Sequence, residues 1–93
     1  MVKLVVPKDI RDLIRTMHPF LKKKIKASLK IILSEPHSGK ALMDELSGLI
    51  SFRVSSFRII YRIKEPEQIE LVAIGPRDRI YEETFRIIQK KIE

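Results

Sequence analysis

Five arginines in the second half of the chain carry the chemistry this sequence could perform. Arg53, Arg58, Arg62, Arg77 and Arg79 recur between strand-forming residues in LSGLISFRVSSFRIIYRI and IELVAIGPRDRIYEE. A guanidinium is a planar, permanently charged fork that can hold two phosphate oxygens at once. Charge on a strand does nothing for a core. Arginines set beside Phe52, Phe57 and Tyr61 therefore describe a sheet with one buried face and one face turned to a polyanion. Such a set can absorb developing charge on a phosphate but supplies no good base, because arginine stays protonated.

The remaining candidates are few. His18 and His37 are the two histidines, and nothing in the spacing brings them together. Both read as structural or surface residues. Neither has acidic neighbours at metal-ligand spacing, and there is no cysteine, so we expect no metal, no cofactor and no thiol chemistry. Lys22, Lys23, Lys24, Lys26 and Lys30 form a row on one helical face. That row reads first as a solvated face, and second as phosphate contacts or a docking surface for an acidic partner.

These side chains must be positioned by a small scaffold. The 93 residues make one domain, 1–93, with 44% hydrophobic residues and a formal charge of +7. That charge fits a nucleic acid or an acidic protein as partner and equally a solvated basic surface; the placement of the arginines favours the partner. No apolar run approaches a membrane span, and MVKLVVPKDI lacks the apolar region of a signal peptide, so the expected location is cytoplasmic.

Along the chain, VKLVV reads as a short strand closed by Pro7. A helix follows with Ile10, Leu13, Ile14 and Met17 at helical spacing, until His18 and Pro19 break it. A second helix runs from about Pro19 to Leu33, burying Ile25, Leu29, Ile32 and Leu33, and Pro36 stops it. Residues 34–50 are the least regular; KALMDEL predicts a helical turn or two.

From Ser51 the period changes to two. One strand covers Ser51 to Ser55, a tight turn falls at Ser55-Ser56, and a second strand runs from Phe57 to Ile63. Arg53 and Arg58 then emerge on one exposed face. Lys64-Glu65-Pro66-Glu67 is a polar hairpin loop, and Ile69 to Ile74, the most apolar strand, is expected at the centre. Gly75-Pro76 ends it and delivers Arg77 and Arg79, with Tyr81 beyond. Phe85, Ile88 and Ile92 recur at helical intervals in the tail. The predicted fold is α+β, in the order β-α-α-β-β-β-α, with a helical hairpin on one face of a largely antiparallel four-stranded sheet. Phe52, Phe57, Ile59, Tyr61, Leu71 and Ala73 should be buried with Leu13, Leu29 and Ile32. The opposite face should be basic and open unless the last helix shields it.

A strand, a basic helical hairpin, then LSG, FRV, FRIIYRI and an IGPR followed by Tyr81 resemble the RelE/ParE toxin superfamily of type II toxin–antitoxin pairs. The resemblance covers nearly the whole chain and is strongest over residues 46–81. In the RelE-like branch it implies an endoribonuclease, an mRNA interferase that cuts the messenger in the ribosome and so inhibits translation. In the ParE-like branch it implies a DNA gyrase inhibitor. A nucleic-acid-binding module without catalysis, or a degenerate toxin, is the third possibility. The resemblance also implies a cognate antitoxin and a toxin–antitoxin hetero-oligomer.

Carried over by residue, it makes Arg58 the stabiliser of the scissile phosphate. Arg53 is a basic group near the cut, and Arg77 protonates or stabilises the leaving group. Tyr81 is the aromatic that orients a base. Arg62, Arg79 and Lys40 would bind substrate. Ser55 departs from the pattern, since the best-known messenger-cutting members have a lysine there. The implied reaction is attack of a 2′-hydroxyl on the adjacent phosphate, giving a 2′,3′-cyclic phosphate and a free 5′-hydroxyl. It needs alignment, charge stabilisation and two proton transfers. An arginine-rich site should do this poorly on free RNA and depend on the ribosome to pose the substrate.

Overall fold

In the computed structural model, residues 2–64 and 67–92 are described, with side chains through Lys90. Glu65 and Pro66 of the expected hairpin loop, and the side chain of Ile92, lie outside the described residues. The elements are β1 (Lys3–Val5), α1 (Lys8–Arg15), α2 (Pro19–Ser34), β2 (Lys40–Ala41), a 3-10 turn (Asp44–Leu46), β3 (Ile50–Val54), β4 (Phe57–Lys64), β5 (Gln68–Pro76) and α3 (Ile80–Ile92).

The helical hairpin is set by local rules. Pro7 caps α1, where its missing N–H costs nothing, and its carbonyl accepts from the Arg11 N–H at 3.0 Å. Between the helices His18 caps α2. Its Nδ1 accepts the Phe20 N–H at 3.2 Å, and Pro19 occupies the first helical position.

The sheet has five strands in the order β1-β5-β4-β3-β2. β1 lies parallel to β5, and the other pairings are antiparallel. The extra strand is β2, two residues at the edge of β3, in the segment expected to be helical; only Asp44–Leu46 coils there, as a single 3-10 turn. Gly39 permits this pairing. A Cβ on it would sit 2.7 Å from Ile50 Cγ2 and 2.8 Å from the Ser51 carbonyl oxygen, so only glycine lets the loop come so close to β3. β4, not the more apolar β5, is the central strand.

Two apolar clusters lie on opposite faces of the sheet. Ile10 of α1 and Ile25 and Ile32 of α2 cluster with Ile50, Val54, Ile59, Tyr61, Ile69, Leu71 and Ile74 of the sheet. Phe52, Phe57 and Leu29 are partly buried there, while Leu13 stays 42% exposed. The Tyr61 hydroxyl donates to the Pro36 carbonyl at 2.6 Å, tying the end of α2 to the central strand.

On the other face Leu49, Ile60, Val72, Ala73 and Ile80 form a second cluster beneath α3, joined by Tyr81, Ile87 and Ile88. Ala73 is therefore buried as expected, but under α3 rather than under the hairpin. The cause is a bulge. Ile60 pairs with Ala73 and Tyr61 with Leu71, so Val72 is an extra residue that turns Val72 and Ala73 to the same face. The last helix thus shields the part of that face around Ile60, Val72 and Ala73 and leaves exposed Arg53 outside its cover.

Candidate nucleic-acid interface

The antiparallel register builds the site. Arg53 pairs directly with Arg58, and Arg58 with Gly75, so these three residues form one row across β3, β4 and β5 on the α3 side of the sheet. Directly paired residues share a face, and so do residues two apart on a strand. The neighbouring row is Lys40, Ser51, Ile60 and Ala73. Ile60 and Ala73 lie under α3, whereas Lys40 is exposed.

Two like charges facing each other across strands oppose folding. Arg53 is exposed and its Nε donates to the Ser55 carbonyl at 3.4 Å. Arg58 is half-buried, and its Nε is fully buried with no hydrogen-bond partner among the described residues. A buried N–H without an acceptor costs stability. The row is therefore a place where the sheet holds charge and donor capacity that the fold itself does not use. Gly75 has no side chain to cover Arg58. A Cβ there would meet Ile80 Cδ1 at 2.9 Å.

Arg77 joins the same corner through its backbone. Its N–H donates to the Ser56 carbonyl at 2.8 Å, so the segment after Gly75-Pro76 is pinned to the tip of the β3–β4 hairpin. Its side chain is exposed. Tyr81, on the first turn of α3, reaches back to the sheet, where its hydroxyl lies 3.2 Å from Ser51 Oγ. Ser51 is two residues from Arg53 on the same face. Tyr81 and Lys40 also line one groove of about 350 Å³ with Leu42, Met43 and Leu46. Arg53, Arg58, Arg77, Tyr81 and Lys40 are thus assembled around one end of the α3 face.

Arg62 is placed apart from that end. Arg62 sits beyond Ile60 on β4, and Glu70 holds it by Nε at 2.6 Å and by a terminal nitrogen at 2.5 Å. Lys64 flanks the same carboxylate at 3.5 Å. Arg79 is exposed at the start of α3, with Asp78 at 4.0 Å. His18 caps α2 and His37 is exposed in the loop. Among the described residues no cluster of three or more His, Asp or Glu could hold a metal ion.

One residue of this corner was not legible in the sequence. Lys24, read there as part of a solvated row, donates from Nζ to Ser55 Oγ at 3.1 Å, at the tip of the hairpin. Helical spacing puts Lys24 on a lysine-rich face; only the tertiary placement of α2 against the hairpin tip singles it out. Ser55 adopts a φ of +56° in that turn.

As a chemical device, this corner offers several guanidinium forks and an aromatic hydroxyl. It can grip a phosphate and stabilise extra negative charge on it. Among the described residues no histidine lies beside the arginine row, while the Glu83 carboxylate reaches it from α3: its Oε2 is 3.4 Å from where a Cβ on Gly75 would sit.

Comparison with known proteins bears on the family and the fold. A family model described as the ParE toxin of the type II toxin–antitoxin system parDE matches residues 6–81. Comparison with curated proteins returned no match. Among solved structures, a mutant of the Escherichia coli toxin RelE in the free state superposes with a TM-score of 0.76 at 14% identity, covering 99% of this chain and 98% of that one. The toxin–antitoxin complex RelBE2 of Mycobacterium tuberculosis matches with a TM-score of 0.70 at 22% identity, over 82% of this chain and 98% of that chain. The archaeal RelE–RelB complex of Pyrococcus horikoshii gives 0.68 at 16% identity, over 84% and 97%.

Proposed function

Because this chain belongs to the RelE/ParE superfamily of toxins from type II toxin–antitoxin systems, we propose that it cuts messenger RNA on the ribosome. The observation that carries this reading is the Arg53–Arg58 pair. Two arginines face each other across β3 and β4, one with a buried and unsatisfied Nε, and Arg77 is pinned beside them. A like-charged pair opposes folding, and a phosphate held between the two guanidiniums would offset that repulsion. Arg58 and Arg53 would hold the scissile phosphate as charge builds on it. Arg77 would stabilise the leaving 5′-oxygen, and Tyr81 would orient a neighbouring base. The 2′-hydroxyl attacks phosphorus, the P–O5′ bond breaks, and a cyclic phosphate remains. Arginine is a poor base, so the proton transfers are slow and the ribosome must supply the in-line pose.

The family description favours a second reading, a ParE-like toxin directed at DNA gyrase. Purified protein added to programmed ribosomes, with messenger ends mapped and gyrase supercoiling measured alongside, separates the two. Cleavage that requires ribosomes and vanishes in Arg77→Ala supports messenger cutting. Intact messenger with blocked supercoiling transfers the protein to the second reading. Inactivity in both assays leaves a binding module or degenerate toxin.

The antitoxin partner of this reading has a fitting surface. Between α1 and α2 lies a groove of about 320 Å³ with Val6, Ile14 and Leu29 as its apolar floor and Arg11, Lys22 and Lys26 on its rim. An amphipathic acidic segment would match it in shape and charge.

A further inference from the structure

We propose that bound RNA continues past the arginine row, over the β3–β4 hairpin tip, onto a second station made by Lys24, Phe20 and His18. This rests on the messenger-cutting reading and extends it to the path of the single strand.

Three observations carry it. Arg53 Nε donates to the Ser55 carbonyl at 3.4 Å while Lys24 Nζ donates to the hydroxyl of the same residue at 3.1 Å. One serine at the hairpin tip therefore links the arginine row to α2. Ser28, one turn further along α2, is buried with its hydroxyl on the Lys24 carbonyl at 2.8 Å. That fixes the flank of the helix from which Lys24 reaches. Finally, Phe20 lies four residues before Lys24, so the two are neighbours on the helix surface.

Phe20 is the feature that asks for a ligand. It is 76% exposed, which is costly for a phenyl ring and contributes nothing to the core. Yet it is held in place. His18 stacks on it, with ring centres 5.5 Å apart and planes 13° from parallel, and the imidazole Nδ1 accepts the Phe20 N–H. An ordered, solvent-facing aromatic beside a chain of cations is the arrangement that binds single-stranded nucleic acid without sequence preference. Cations follow the phosphates and the ring receives a base. Lys24 would take one phosphate, as a mobile point charge, and the free face of Phe20 one base.

The test uses 2′-O-methyl oligouridylates, which bind but cannot be cut, of three and nine nucleotides, titrated against the full protein at several salt concentrations. The nonamer should bind more tightly than the trimer. Phe20→Ala should lower nonamer affinity about tenfold, in line with the stacking energy of a base on an aromatic ring, and leave the trimer unchanged. Lys24→Gln should reduce the salt slope for the nonamer by about 0.7, the loss of one single-strand phosphate contact. Lys30→Gln, a lysine of the same helix, should not. In Lys24→Gln/Ser55→Lys, an amine returned from the hairpin should restore the slope. Both primary substitutions are at exposed positions, so folding is preserved. Unchanged nonamer binding in Phe20→Ala and Lys24→Gln, with Arg58→Ala still abolishing it, refutes the track and leaves Phe20 to a protein partner. Trimer binding that ignores Arg58→Ala refutes the messenger-cutting reading, and the track falls with it.

Discussion

Replacing Arg58 by methionine should stabilise the protein while abolishing its toxicity. The Nε of Arg58 is buried without a partner among the described residues, and Arg53 faces it directly across β3 and β4. An unsatisfied buried donor costs about 1–3 kcal/mol. A like-charge cross-strand pair costs a further ~0.2–1 kcal/mol. Methionine keeps most of the apolar stem and removes both penalties, while losing some of the packing that the guanidinium provides. The expected net gain is about 1–2 kcal/mol, which in a domain of this size raises Tm by roughly 4–16 °C. Thermal unfolding of the purified variant measures the gain, and induction in growing cells reads the toxicity. A polyanion such as a short RNA should raise the Tm of the wild type and not of the variant. If Arg58→Met instead loses more than 1 kcal/mol and unfolds cells' supply of the protein, Arg58 is a structural residue, and the inference from an unsatisfied donor to a phosphate is wrong.

Other perturbations test the scaffold. Tyr61→Phe leaves the Pro36 carbonyl without its donor and should cost about 1–3 kcal/mol in urea unfolding. Burial raises the Tyr61 pKa above its ordinary value of 10.0, against the lowering effect of hydrogen bonds from the Gly39 backbone and Ser38. The folded state then holds the proton more tightly. The corresponding stability is complete below pH 10 and is lost as pH rises beyond it through the folded pKa; Tyr61→Phe should lack that alkaline decline. Gly75→Ala puts a Cβ 2.9 Å from the end of the fully buried Ile80 side chain. It should cost about 1–3 kcal/mol and speed amide exchange in α3 before the rest of the sheet. Arg62→Met should reduce stability by about 1 kcal/mol through loss of its half-buried pair with Glu70, yet leave toxicity on induction near that of the wild type, because Arg62 is held away from the arginine row.

Periodicity was enough to place the helical hairpin and the β3–β4 hairpin. Apolar residues at helical spacing and then strict alternation through FRIIYRI are signals that a local rule can read. That Arg53 and Arg58 share a face followed from that alternation; that they pair directly needed the hairpin register, which only the structure supplies. What escaped is tertiary. The two-residue β2 is a strand only because Gly39 lets its segment approach β3, and its own residues carry no strand signal. The bulge at Val72 breaks the period without any glycine or proline to announce it, and so hid the face on which Ala73 lies. Leu13 sits at a helical core spacing but is exposed, because α1 has only eight residues and buries mainly Ile10. Of the site residues, Arg62 could not be told from Arg58 by sequence, because what separates them is a carboxylate supplied by the neighbouring strand. Lys24 was invisible for the converse reason: its partner Ser55 belongs to a different layer of the fold.

The parallel pairing of β1 with β5 sets an order of assembly. Lys3 lies opposite Gln68, so β1 pairs with a strand made much later. At ~5–20 residues per second the wait is about 3–13 s. Until then the helical hairpin has only part of a sheet to cover, and Arg77 has not yet been delivered to the Ser56 carbonyl that pins it. Nascent chains stalled after Lys64 should therefore be digested readily by protease and bind no RNA, whereas chains extended through α3 should resist digestion. The arginine row is thereby incomplete until β5 and the segment after it have emerged. An antitoxin already present in the cell meets the toxic surface at the moment it first exists.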